Sequence, residues 1–166
     1  MRFAALTLAV ALGLAFPAWA GFREGLEAYY ALDYETALKE WAPAAEAGDR
    51  RAQYQIGVLF YRGDGVPQDY GEAAKWFRRA AERGDADAQF NLGLLYADGT
   101  GVPKDFVRAH MWFNLSAASY EAYKGEDWAI ENRGWAARNR DWVAAQMSTA
   151  EIAKAERLAR QWRPKP

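Results

Sequence analysis

Laid over itself with a shift of 36, the stretch 48–119 matches at fifteen positions: Gly48, Asp49, Ala52, Gln53, Gly57, Leu59, Gly63, Gly65, Val66, Pro67, Asp69, Ala73, Trp76, Phe77 and Ala81 each recur 36 residues later. Self-similarity at a fixed period of roughly 20–50 residues restricts a chain to stacked copies of one small unit. Tyr54/Phe90, Ile56/Leu92, Phe60/Tyr96 and Tyr70/Phe106 keep size and polarity at the same shift.

Each half of the unit reads as a helix. Ala52, Ile56 and Phe60 recur at spacing four, with Gly57 on the flank, so one side is small or apolar and a neighbouring helix can come close. Gly63-Asp64-Gly65-Val66-Pro67 must break that helix: its glycines take positive φ without steric cost, its proline cannot continue a helix, and Asp69 is placed to cap the next one. The second helix is predicted over about 70–83, with Ala73, Trp76, Phe77 and Ala80 on its apolar stripe, Gly84 ending it and Asp85 capping the next copy. A helix pair of this kind cannot hide its stripe alone, so pairs must stack.

A degenerate copy precedes the two clear ones. Tyr34, Ala37, Trp41, Ala44 and Ala45 align with Tyr70, Ala73, Phe77, Ala80 and Ala81, while the first helix, about 22–31, joins through a short Leu32-Asp33 turn without the glycine-proline loop. After Ser119 the period is lost but the pattern stays helical. Trp128, Trp135 and Trp142 fall seven apart and share nearly one face of a single helix. A last helix carries a Ser148/Glu151 capping box and an apolar face of Ile152, Ala155, Leu158, Ala159 and Trp162, and Pro164 stops it. The expected architecture is all-α: a short right-handed solenoid of helix-turn-helix units with a helical carboxy-terminal cap. Its divisions are a signal peptide at 1–20, a first unit at 21–47, repeats at 48–83 and 84–119, and the cap at 120–166.

The signal peptide is read from Arg2, the apolar run Phe3 to Phe16, Pro17 and the ending Ala18-Trp19-Ala20, which places cleavage between Ala20 and Gly21 and the product in the periplasm or outside the cell. That run is shorter than the roughly 20 residues that span a bilayer, so no stable membrane insertion is expected after cleavage. Without Arg2, 20 basic side chains face 22 acidic ones, a formal charge of −2. A near-neutral chain without basic clusters does not suit nucleic acid, which needs concentrated Lys and Arg. The absence of cysteine means that packing, not disulfides, holds the fold, and with His110 as the one histidine no zinc or copper site of nitrogen and sulfur ligands is expected. No cofactor is expected.

The pattern Ala52-x-x-x-Ile56-Gly57-x-x-Phe60-x-x-Gly63-x-Gly65-Val66-x-x-Asp69-x-x-x-Ala73-x-x-Trp76-x-x-x-Ala80-Ala81, with its copy from Ala88 through Ala117, resembles the Sel-one-like repeat family, relatives of the tetratricopeptide class. The ending from Asn139 to Met147, with Glu151-Ile152-Ala153 and Ala159-Arg160-Gln161-Trp162, is similar to the tail that follows the last repeat in many bacterial members, whereas Tyr120 to Trp135 departs from it by its length and tryptophan content. The resemblance implies contact with a protein or peptide partner, as an adaptor or a regulator. A cysteine-rich secreted branch is linked to β-lactam binding and hydrolysis, which makes peptidoglycan- or β-lactam-related ligand binding or hydrolysis the alternative; a chain without cysteine does not fit that branch.

No catalytic set emerges. After position 20 the serines are Ser116, Ser119 and Ser148, and none begins Ser-x-x-Lys. His110 takes the place held by Ala74 in the other copy, and capping accounts for Asp69 and Asp105. Arg62-Gly63-Asp64 follows from the repeat loop, whose aspartate becomes Thr100 in the second copy, and the glycosylation triplet Asn114-Leu115-Ser116 falls within a helix. What remains is surface. With Ala52, Ile56 and Phe60 packed, Tyr54, Val58 and Tyr61 point to the other side of their helix at about 100° per residue, and Phe90 and Leu94 repeat those places. In tetratricopeptide-like solenoids such first helices line the concave face. This stripe either receives an extended peptide or partner helix or packs on neighbouring units, and the Trp128, Trp135 and Trp142 row either forms a second surface or packs on the last repeat.

Overall fold

The computed structural model describes residues 18–123 and 125–166. The segment read as a signal peptide lies outside the described residues up to position 17. Eight α-helices follow in order: α1 (Ala18–Tyr30), α2 (Tyr34–Glu46), α3 (Arg50–Arg62), α4 (Tyr70–Glu82), α5 (Ala86–Asp98), α6 (Phe106–Tyr120), α7 (Asp127–Ala144) and α8 (Thr149–Gln161), with one turn of 3-10 helix over Glu121–Tyr123. Each helix from α1 to α6 packs on the next, and α8 returns to α6. This is a solenoid of helix pairs, all-α among the described residues, closed by two helices that both lean on α6.

Capping chemistry places the helix ends. The side chains of Asp33, Asp49, Asp69, Asp85 and Asp105 accept backbone N–H groups at the starts of α2 to α6. Ser148 and Glu151 form the full capping box of α8. Gly63 and Gly99 end α3 and α5 in the left-handed conformation, at φ 77° and 76°.

Glycine also sets the distance between the helices of a pair. A Cβ on Gly57 would lie 2.6 Å from the ring of Phe77, and one on Gly93 would lie 2.7 Å from Phe113, so each glycine is a notch that seats the aromatic ring of the following helix. In the first pair the same contact joins Gly25 to Trp41, at 2.3 Å from the indole nitrogen, and that nitrogen donates to the Phe22 carbonyl. Glycine and ring are 16 residues apart there and 20 apart in the other two pairs, because the Leu32-Asp33 turn is four residues shorter than the glycine-proline loop. Buried Gln53 and Gln89 join the pairs. Each donates its side-chain amide to the last turn of the preceding helix, at Ala45 (2.8 Å) and Ala81 (3.1 Å), where the carbonyl also accepts the N–H of Gly48 or Gly84, so one acceptor ties the turn and the next unit together.

The core is continuous along the stack. One cluster centres on Trp41, Ile56 and Leu59, the other on Phe77, Leu92, Leu95 and Phe113, and Phe60 packs against both. Alanine fills much of the buried surface: Ala37, Ala45, Ala52, Ala73, Ala80, Ala81 and Ala88 are fully enclosed, which lets successive helices approach closely.

Candidate functional site

A groove of about 410 Å³ lies between the repeats and α7, lined by Tyr54 of α3, Asp87, Phe90 and Asn91 of α5, Tyr120 at the end of α6, and Asn132 and Trp135 of α7. The repeat and the cap both supply it. Tyr54 and Phe90 are equivalent residues of successive copies, each supported from behind by the ring of its own pair's second helix: Tyr54 stands 5.7 Å from Phe77 and Phe90 stands 5.6 Å from Phe113. The opposite wall is α7. It meets the stack through Ala129, Ala136 and Val143, which are spaced by seven and buried, and this holds each preceding tryptophan at the edge of the contact.

Asp87 and Tyr120 are shared with an adjoining pocket of about 390 Å³, whose lining includes Arg50, Asp85, Tyr123, Trp128 and Trp162. The Tyr120 hydroxyl donates to Asp87 at 2.5 Å, which fixes that carboxylate on the floor where the two hollows meet. Burial, with the negative charge of Asp87, pushes the Tyr120 phenol well above its ordinary range; Tyr54 moves in the same direction through burial and the nearby Asp87 and Asp85. Both remain neutral hydrogen-bonding groups at physiological pH. Burial pushes the Asp85 carboxyl up to about 6, although it accepts the Ala88 N–H at 2.8 Å.

The structure brings Tyr54, Phe90 and Trp135 into one groove and places Trp128 in the hollow beside it. Val58 and Leu94 are half-buried and pack against the core instead. Tyr61 does not line the groove and stands edge-on to Tyr70 at 5.3 Å, and Trp142 lies at the far end of α7 against Phe106 at 6.3 Å. Of the two arrangements open to the tryptophan row, burial within the last repeat is not the one seen: Trp128, Trp135 and Trp142 are 48%, 51% and 53% exposed. Asp87, Asn91, Tyr120 and Asn132 were not anticipated. Asp87 had a signal in the sequence, since it stands where the first copy has Arg51 and so departs from what the repeat alone needs; Asn132 had none.

Comparison with known proteins agrees with this architecture. The Sel1 repeat model matches residues 50–85 and 86–119. The crystal structure of a Sel1 repeat protein from Oxalobacter formigenes superposes with a TM-score of 0.59 at 30% identity, covering 71% of this chain and 88% of that one. The chain belongs to the Sel1 repeat family. A protective antigen present in uropathogenic Escherichia coli strains, displaying an SLR fold, superposes with a TM-score of 0.73 at 29% identity over 87% of this chain; the chain spans 29% of that antigen's length. No curated protein matches. Sel1 repeats are generally non-catalytic scaffolds for protein–protein contact, and the described residues include no helix long and apolar enough to cross a membrane.

Proposed function

We propose that this Sel1 repeat protein is a non-catalytic adaptor or regulator of the bacterial envelope that holds an extended segment of a partner protein in the groove between α5 and α7. The observation that carries this reading is the composition of the groove. Three aromatic rings, Tyr54, Phe90 and Trp135, supply large, rigid contact area, and Asn91 and Asn132 put side-chain amides on facing walls. An amide offers one donor and one acceptor side, which is what a peptide backbone presents in return. The serines support a role without acyl chemistry: Ser116 is buried and donates to the Ala86 carbonyl, Ser119 donates to Gln89, and Ser148 caps α8.

The test is crosslinking in the native compartment followed by mass spectrometry, comparing wild type with Tyr54→Ala/Phe90→Ala and with Trp135→Ala, each checked for fold by circular dichroism. The proposal expects one partner that both folded variants lose. Retention of that partner by both variants would falsify the groove as its seat. Cell fractionation with amino-terminal sequencing addresses the envelope: a periplasmic protein beginning at Gly21 is expected, and a cytoplasmic one beginning at Met1 would remove that part of the reading.

A further inference from the structure

A third hollow, of about 580 Å³, lies between α4, α6 and α8 and shares no lining residue with the other two. At its centre Tyr96 of α5 is 3% exposed, yet its hydroxyl receives two guanidinium groups, from Arg78 at 2.7 Å and Arg108 at 3.1 Å. Both cations also lie near the ring, at 6.0 and 5.3 Å from its centroid. Lys154 of α8 brings a third positive charge to the same wall.

The carboxylates nearby do not balance these charges. Of the two that line the hollow, Glu82 is paired with Lys165 at 2.6 Å, and Asp105 caps α6 and pairs with Arg108 at 3.3 Å. Arg78 and Lys154 have no carboxylate within 4.0 Å among the described residues. Two guanidinium forks aimed at one phenol oxygen, with an unpaired ammonium beside them, form an electropositive concavity of the kind that oxyanions fill. The repeat does not require this cluster. At the same places in the preceding copy stand Ala42, Phe60 and Glu72, so the tyrosine hydroxyl and both arginines belong to this junction alone.

The remaining lining is apolar: Val107, Met111, Trp112 and Leu158. These are less exposed than Arg108 and Lys154, so the apolar walls lie deeper than those two cations. We infer that this hollow is a binding site for a small amphipathic acid, a carboxylate or phosphate monoester whose oxyanion meets Arg78, Arg108 and Lys154 while its apolar body lies on Met111, Trp112 and Leu158. Its volume falls in the range of roughly 300–1,000 Å³ usual for small-ligand pockets.

Calorimetric titration of the purified protein with octanoate, octyl phosphate and the neutral control octanol tests the site. Both anions are expected to bind, and octanol to bind at least about tenfold more weakly, the loss expected when charge-assisted contacts are removed. Arg78→Gln/Arg108→Gln is expected to bring the anions to the level of octanol. Tyr96→Phe keeps the total charge but releases the two guanidiniums, and is expected to weaken the anions in part. Thermal unfolding without ligand guards against a merely structural role: because the substitutions relieve crowding of like charges, the arginine variant is expected to melt no lower than wild type. Equal affinity for octanol and octanoate would overturn the assignment. So would anion binding unchanged in the arginine variant, a variant that melts lower while binding as wild type does, or binding to anionic phosphatidylglycerol vesicles with none to octanoate.

Discussion

Gly93 and Gly134 are both interior helix glycines, and they should respond in opposite directions to the same substitution. Alanine is favoured over glycine in a helix by roughly 1 kcal/mol. At Gly134 the added methyl would meet only the flexible end of Arg138, at 3.2 Å, so Gly134→Ala should stabilise the protein by about 0.5–1 kcal/mol in urea unfolding. At Gly93 it would enter the ring of Phe113, itself fully buried, and overpacking of this kind costs typically about 1–3 kcal/mol, so Gly93→Ala should destabilise. A gain from both substitutions would refute the notch. Asp85 gives a prediction in pH. Its folded value, about 6, lies above the ordinary carboxylate value of 3.8, so the native state holds this proton more tightly than the unfolded chain. The associated stability is present in full below pH about 4 and is lost as pH rises through about 6. Asp85→Asn keeps an acceptor for the Ala88 N–H and removes the charge. Its stability relative to wild type should therefore rise between pH 4 and 7 by an amount on the order of 1–3 kcal/mol, every other carboxylate cancelling in the difference; a difference flat across that range would contradict the assignment. At this scale the sequence was legible wherever one residue type has one physical use, as with the capping aspartates. It was opaque for Gln53 and Gln89, whose recurrence is visible but whose bond to the preceding unit exists only once units stack.

Among the elements, the helices of the repeats were readable from end to end because their boundaries are chemical: an aspartate before each, and a left-handed glycine after α3, α5 and the turn at Gly84. The face that α7 turns inward was not. Hydrophobicity favours the three tryptophans, but α7 meets the stack through Ala129, Ala136 and Val143, and a contact made by small side chains leaves indoles no room between the helices. At the start of α7, Glu126 makes no side-chain capping bond, so that boundary also lacks a chemical marker. The carboxy-terminal segment after α8 has a structural task. Trp162 packs on the core, Pro164 lies beside Gly84, and Lys165 donates its backbone N–H to the Glu82 carbonyl at 2.7 Å while its ammonium meets the Glu82 carboxylate. Removing residues 162–166 should lower stability by roughly 2–4 kcal/mol, mostly through the lost indole. Lys165→Ala alone should cost no more than about 1 kcal/mol, since exposed ion pairs contribute little. Chemical denaturation of both variants separates the two contributions, and equal losses would mean that the ion pair, not the indole, holds the tail.

For the whole molecule, a period can say that units stack but not where a non-repeating helix comes to rest, which is why Tyr54 and Phe90 could be singled out from the sequence while their meeting with Trp135 could not. The same asymmetry should appear in dynamics. In a solenoid, stability is nearly a sum of unit and neighbour terms, so an element with one neighbour and little buried surface opens before the rest. Over its 18 residues α7 buries three side chains, two of them alanine, whereas the 13 residues of α5 bury seven residues between α4 and α6. Amide hydrogen exchange should therefore show the amides of 127–144 opening at a free energy below the global value, with α4 and α5 exchanging only on global unfolding. A segment seated between Phe90 and Trp135 would tie α7 to α5 as well as α6, so partner binding should raise the protection of 127–144 most of all, by up to the binding free energy. If α7 is already as protected as α5 in the unbound protein, the groove wall is rigid and recognition proceeds without any closing movement. If partner binding leaves 127–144 unchanged while protecting another segment, the partner sits elsewhere on the solenoid.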